Sequence, residues 1–335
     1  MEQKHNSTYT SCDWVESGLE FRHNSIRTCC FAYLQDKNEP YSTLIENYNG
    51  ENLDWEKILA HKKLNRALHK EGKFLPPCKE CVYLYEKEWD DDFYIDHLTL
   101  NHWSKCNCNC SYCYTAEDKQ GANTYKHYDI LPVLKDMFKR KILRATPRSG
   151  VTFGGGEPII LENFDNIIDL FLKHGFHNIR INSSGIKYSK SIEKGLKMGA
   201  ISLVISPDSG SKQMYEKIKQ VPCFDKVWEN IRKYSKAQKE NTLVKVKYIL
   251  IPGVNDNIEE IDKWFDLVLL NNAKSVSVSV EQGWYHSTYP NFSRDIYEKI
   301  NYIKNKAQEL NLDTEMYIEA ISLLDKYKEN NDDGN

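Results

Sequence analysis

The chain has 335 residues, 40% hydrophobic and 28% charged, with a formal net charge of -3, which suits a globular protein of one large and one small domain. Its charge lacks the basic excess that marks a nucleic-acid footprint, and no stretch approaches the roughly 20 apolar residues of a membrane span. The opening run MEQKHNSTYTSCDW has no apolar segment behind its lysine, so a cytoplasmic protein is expected. In a reducing compartment ten cysteines grouped in short motifs point to metal ligation before disulfides.

Residues 1 to about 90 contain Cys12, the adjacent Cys29 and Cys30, then Cys78 and Cys81 in PPCKEC. A helix is predicted over 54–71. The segment has few apolar residues for a core, and a metal site would account for its stability. Such a site would hold zinc or an iron–sulfur cluster, and the residues alone separate these poorly.

From about Tyr94 short runs rich in Val and Ile alternate with segments of helical periodicity. Strands are predicted at 95–100, 150–153, 178–181, 202–205, 244–249 and 275–280, and helices at 130–143, 161–174, 190–198, 224–240 and 258–270. Repeated β/α units imply parallel strands with right-handed crossovers, in a barrel or an open doubly wound sheet. After Asn291 two helices and a disordered tail over 326–335 are expected.

The first predicted strand runs into CNCNCSYC, with Cys106, Cys110 and Cys113, and the second into FGGGEP. Three thiolates hold three irons of a cubane and leave the fourth open to a substrate or cofactor. A zinc site usually takes four N or S ligands, which this spacing does not supply. Cys108 falls inside the gap and is read as a bystander, a register of Cys106, Cys108 and Cys113 being the alternative. In the glycine turn the backbone of Gly155 and Gly156 can approach a ligand closely, and Glu157 can accept hydrogen bonds from an ammonium.

The CxxxCxxC spacing with Tyr112 before its last cysteine, together with GGGEP, resembles the signature of the radical S-adenosylmethionine (SAM) enzymes, over roughly Tyr94 to the segment after Glu281. The resemblance implies an α/β fold, a partial (β/α)6 TIM-type barrel, six strands being two short of a closed one. It implies a 4Fe-4S cluster on Cys106, Cys110 and Cys113 whose open iron chelates SAM. Reductive cleavage to a 5′-deoxyadenosyl radical and hydrogen abstraction from an unactivated substrate carbon would follow. SAM contacts are then expected at Gly155, Gly156 and Glu157 for the methionyl amino group, at Ser206 in ISPDSG, and at Lys219 for the carboxylate. Asn182 and Ser184 in INSSG, Val254 in YILIPGVND and the backbone of Tyr112 complete the expected pocket.

The N-terminal cysteines resemble the auxiliary-cluster modules called SPASM or twitch. Asn24 in HNSIRTCC stands where such modules have a hairpin glycine, a register that selects Cys29 over Cys30. Cys12, Cys29, Cys78 and Cys81 would then close a second 4Fe-4S cluster, with a zinc ribbon as the alternative. The module precedes the barrel here, whereas in most relatives it follows. The expected domains are 1–90 for the auxiliary cluster, 91–325 for the core and 326–335 for the tail.

Cys223 in QVPCFDKV is outside both sets, either a hydrogen-atom donor to a substrate radical or a half-buried structural cysteine. His97, His102 and Glu281 lie near strand ends and either face substrate or, as is more usual for single residues of this kind, are structural or solvated. By analogy the expected substrate is a peptide or protein undergoing post-translational modification, with a sugar or amino-acid derivative as the small-molecule alternative. A reductant such as flavodoxin or ferredoxin is implied. The non-enzymatic rival is an iron–sulfur redox or binding module, which has no need of the glycine turn beside an open iron.

Overall fold

The computed structural model describes residues 7–29, 43–74, 78–79, 81–90, 92–113, 128–288, 294–317 and 320–321; Cys30 and the tail at 326–335 lie outside them. The chain forms two compact units. One comprises Met1–Ser104, Tyr125–Gly156 and Asn166–Ile179, the other Lys105–Thr124, Glu157–Asp165 and Arg180–Asn335.

In the first unit β1 (Ser7–Ser11) pairs antiparallel with β5 (Tyr85–Trp89), Ser11 opposite Tyr85. Between them in sequence come α1 (Asp13–Ser17), β2 (Gly18–Arg22), β3 (Ser25–Arg27), β4 (Thr43–Glu46) and α2 (Trp55–Lys70). Cys12 caps α1, its sulfur accepting from the Val15 N–H at 3.5 Å. A Cβ at Gly18 would stand 2.4 Å from the Trp14 ring, so the turn from α1 into β2 is tight enough to need glycine.

β2 runs parallel to β6 (His97–Asn101), with Gly18 opposite His97 and Arg22 opposite Asn101, and β6 runs parallel to β7 (Gly150–Phe153). The order in this unit is β7-β6-β2-β3-β4. Leu19, Phe21, Leu98, Leu100, Val151 and Phe153 are buried from alternating strand positions, each contributing about 1.5–3 kcal/mol through burial. The parallel partner β2 is a feature that the charged run GLEFR does not advertise. α3 (Leu131–Lys139) precedes β7, and α4 (Phe164–Lys173) follows it.

In the second unit the parallel strands β8 (Ile179–Ser183), β9 (Ile201–Ile205), β10 (Val244–Leu250) and β11 (Ser275–Val280) end with β12 (Asp313–Met316), in the order β12-β11-β10-β9-β8. Helices α5 (Lys190–Met198), α6 (Lys212–Lys219), α7 (Phe224–Ala237) and α8 (Ile258–Leu270) connect them. Ser189, Ser211 and Asn257 cap α5, α6 and α8, each accepting from a first-turn N–H, as N-terminal donors require. The expected strands and helices recur within a few residues of their predicted bounds. After α9 (Gln282–Thr288) and α10 (Arg294–Glu309) the chain adds β12, a strand the sequence did not suggest, beside β11; residues 320–321 are helical, and the rest of the expected second terminal helix lies outside the described residues. The architecture is α/β with parallel strands, of the partial TIM-type class expected.

Candidate functional site

The loop after β6 carries the cysteine motif, and backbone bonds fix it to the end of α6. Asn109 N donates to the Lys219 carbonyl at 3.1 Å and Ser111 N to the Ile218 carbonyl at 2.9 Å, while the Asn109 amide donates to the Gln220 side-chain carbonyl at 2.7 Å. The turn Cys110–Cys113 closes on its own N–H···O bond of 3.2 Å. Cys108 lies close enough to Cys106 and Cys110 to lower the thiol pKa of both against the effect of burial, and their proximity raises that of Cys108. Lys219 adds to the lowering at Cys110.

Behind this loop Asp208 joins four segments. It has a left-handed φ of 55° and a fully buried side chain. Its Oδ2 accepts from the Tyr112 hydroxyl and from Lys219 Nζ, each at 2.5 Å, and Lys219 also reaches the Tyr112 oxygen at 2.6 Å. Oδ1 accepts from Ile249 N at 2.9 Å in β10, and the Asp208 carbonyl accepts from the Asn255 amide at 2.9 Å. Burial works against the Lys219 charge, but the Asp208 carboxylate outweighs it and holds the ammonium pKa above its usual value. Asp208 and Asn255 were not singled out from sequence; Asp208 lies two residues from the chosen Ser206, and Asn255 next to the chosen Val254.

Glu157 is 2% exposed, and burial lifts its pKa, partly offset by the Ser184 N–H. Its Oε1 accepts from Ser183 Oγ at 3.0 Å and Ile159 N at 3.2 Å, its Oε2 from Ser184 N at 2.5 Å. Ser184 in turn donates from its hydroxyl to the Asn107 side-chain carbonyl at 2.9 Å. The carboxylate thus joins the end of β8 to a short 3-10 turn at Pro158–Ile160, and Glu157 N donates to the Lys105 carbonyl at 2.9 Å. Within the first unit, Gly155 has φ 79° and a Cβ there would meet the Trp103 carbonyl at 2.5 Å, while Gly156 N donates to that carbonyl at 3.1 Å. Glycine at 155 is required both by conformation and by space.

Of the remaining expected contacts, Ser206 N donates to the Ser183 carbonyl at 3.3 Å and Val254 N to the Ile251 carbonyl at 3.0 Å. The structure therefore brings Ser206 beside the end of β8, where Asn182 also lies. Cys223 is half-buried at the start of α7 with no cap bond from its side chain, and its thiol is felt by buried Tyr215.

In the first unit the four N-terminal thiols act on one another. Burial, then the neighbouring Cys12, Cys29 and Cys81, pushes the Cys78 thiol up to about 12, and burial does the same for Cys12, with Cys29 and Cys81 adding to it. Cys81 N closes a turn on the Cys78 carbonyl at 3.1 Å. Among the described residues no three His, Cys, Asp or Glu side chains converge on a single ion. Both donor sets, three and four cysteines, fit 4Fe-4S clusters by ligand type and number.

Residues 100–265 match the model of the Radical SAM superfamily. That segment is a radical SAM domain, of a superfamily whose cofactors are a 4Fe-4S cluster and SAM. Among curated relatives, GTP 3',8-cyclase of Clostridium botulinum is 25% identical over 177 residues, 52% of each chain. The cysteine-type anaerobic sulfatase-maturating enzyme of Clostridium perfringens is 36% identical over 85 residues, 24% of this chain and 23% of that one. This radical SAM chain spans about half the length of the cyclases it matches. The crystal structure of Streptococcus suis SuiB bound to precursor peptide SuiA aligns with a TM-score of 0.52 at 15% identity, over 82% of this chain and 56% of that one, a likeness of fold. Among the described residues no helix is long and apolar enough to cross a membrane.

Proposed function

We propose that the chain is an enzyme that cleaves SAM reductively at a cluster held by Cys106, Cys110 and Cys113 and takes a hydrogen atom from a peptide or protein. When bound, the cluster supplies the electron that splits the C–S bond of SAM into methionine and a 5′-deoxyadenosyl radical. The observation that carries the reading is the anchoring of the cysteine loop. Bonds from Asn109 and Ser111 to the end of α6, and from Tyr112 to Asp208, hold three thiols on a rigid base.

The chain's own residues supply position and shielding. Cys108 falls between Cys106 and Cys110 in the motif and is assigned a supporting role beside the three ligands. Glu157, whose carboxylate is held by Ser183, Ser184 and Ile159 and keeps acceptor capacity, is assigned with Gly155 and Gly156 to the methionyl amino group of SAM. Ser206, Asn182, Ser184 and Val254 are assigned to the remainder of that pocket, and Lys219 to the support of Tyr112.

Cys12, Cys29, Cys78 and Cys81 are assigned to a closed second 4Fe-4S cluster in an auxiliary domain over 1–90, with the radical SAM core over 91–325. A peptide substrate is supported by the fold shared with SuiB, which is seen with a precursor peptide, and by the local likeness to a sulfatase-maturating enzyme. A nucleotide substrate is the second reading, favoured by the cyclase relatives. The test is incubation of the reduced, iron-reconstituted protein with SAM and a candidate peptide or GTP, with 5′-deoxyadenosine and mass changes of the candidate as readouts. Turnover of GTP with no peptide changed would replace the peptide reading.

A further inference from the structure

We propose that a cavity beside the cysteine loop takes a single carboxylate of the substrate, with Lys247 as its counter-ion. The inference rests on the radical SAM reading and narrows the substrate to one that carries an acidic group near the reacting carbon. The cavity, of about 130 Å³, is walled by Tyr112, Lys247, Ile249, Ser279, Glu281 and Tyr317, among others. Tyr112 belongs to the cysteine loop itself, so a group bound here lies next to the segment assigned to the cluster.

The alternation of β10 places Lys247 there. Val244, Val246, Tyr248 and Leu250 are buried on one face of the strand, and Lys245, Lys247 and Ile249 are half-buried on the other. The other cations of this layer are already matched. Arg180 lies 2.9 Å from Glu315, and Lys245 lies 3.1 Å from Glu315 and 3.6 Å from Asp313. Lys247 forms no ion pair among the described residues; its ammonium stands 3.8 Å from the centroid of the Tyr317 ring. Glu281 shares the cavity, but its carboxylate accepts from Gly283 N at 2.7 Å and Trp284 N at 2.5 Å and so caps α9.

A half-buried cation whose neighbours are an aromatic face and small polar groups gains most from one added anion. The amount of charge argues for a carboxylate over a polyphosphate. One unmatched lysine balances one negative charge, and the Glu281 carboxylate that lines the same cavity repels any excess carried by a polyphosphate. The volume argues the same way, lying well below the roughly 300–1,000 Å³ of pockets that enclose a whole small molecule. It suits one acidic side chain or a chain terminus.

The test uses the full chain, anaerobically reconstituted and with SAM present. Two probes, acetylated and amidated Gly-Gly-Glu-Gly-Gly and its Gln analogue, differ only in one charge. Calorimetry is expected to show the Glu peptide binding about tenfold more tightly, as one charge-assisted pair allows. The preference is expected to vanish in Lys247→Met and to persist in Lys247→Arg, which separates loss of charge from loss of fold. Equal or undetectable binding of the two peptides by the unaltered enzyme overturns the inference, as does a preference that survives Lys247→Met. Tighter binding of GTP than of the Glu peptide, lost in Lys247→Met, also overturns the carboxylate assignment. 5′-Deoxyadenosine is assayed in the same samples: its formation without a charge preference removes this inference alone, and its absence removes the radical SAM reading with it.

Discussion

Lys219 and Asp208 form an ion pair of 2.5 Å in which the two side chains are only 4% and 0% exposed. The same carboxylate oxygen accepts from Tyr112, between the second and third cysteines of the motif. A buried pair of this kind is costly to break from one side, because the remaining charge has no water to turn to. Asp208→Asn is therefore expected to destabilise the protein by about 3–5 kcal/mol and to lower iron retention on Cys106, Cys110 and Cys113. Urea unfolding and iron analysis check this; a variant with unaltered stability and iron content contradicts the role given to Asp208.

Glu157 gathers donors from Ser183, Ser184 and Ile159. Glu157→Ala leaves these groups without their acceptor, at about 1–3 kcal/mol for each one that stays buried, whereas Glu157→Gln keeps an acceptor and loses less. The expected order in thermal melts is wild type, then Gln, then Ala. Equal melting of the Ala variant and wild type would show that the wall of the pocket does not depend on this carboxylate.

Much of the parallel sheet was legible because its strands are short runs of Val, Ile and Leu between turn residues. β2 and β12 were not. GLEFR and DTEM carry charges that a strand seldom buries unaided, and here those charges are matched, mostly by residues far away in sequence. Glu20 accepts from Asn101 at 2.8 Å and pairs with Arg22 at 3.0 Å, and Glu315 pairs with Arg180 and Lys245. The cysteine and glycine motifs were legible as spacing. The support behind them was not, since Asp208 acquires its meaning from Tyr112, Lys219 and Ile249, which no local pattern links to it.

Cys108 separates the two registers of the cysteine motif. Cys108 falls inside the gap of the CxxxCxxC spacing, so it is expected to be dispensable as a ligand. Cys108→Ala should retain four irons at this site and the SAM-dependent change in the reduced EPR signal, while Cys110→Ala should lose both. Loss in Cys108→Ala with retention in Cys110→Ala reverses the assignment.

Lys62 gives the first unit a pH dependence of defined sign. It is fully buried, donates to the Trp14 and Val15 carbonyls at 3.2 Å, and burial pushes its pKa down to about 8, against the pull of Glu16, Cys12 and Asp96 and with the push of Arg66. An unfolded lysine titrates near about 10.4. Between about pH 8 and 10.4 the unfolded chain binds a proton that the folded chain has lost, so this group raises stability as pH rises. The stability of wild type relative to Lys62→Met is expected to grow across that window, read from urea melts of the metal-free protein at pH 7.5, 9 and 10. A constant or shrinking difference contradicts the buried, depressed lysine.

The most direct test of the central claim is anaerobic reconstitution with iron and sulfide, reduction, and assay of 5′-deoxyadenosine from SAM in wild type and Cys106→Ala. The account predicts about eight irons for two 4Fe-4S clusters, deoxyadenosine from wild type, and none from Cys106→Ala. A fully iron-loaded wild type that leaves SAM intact would contradict it.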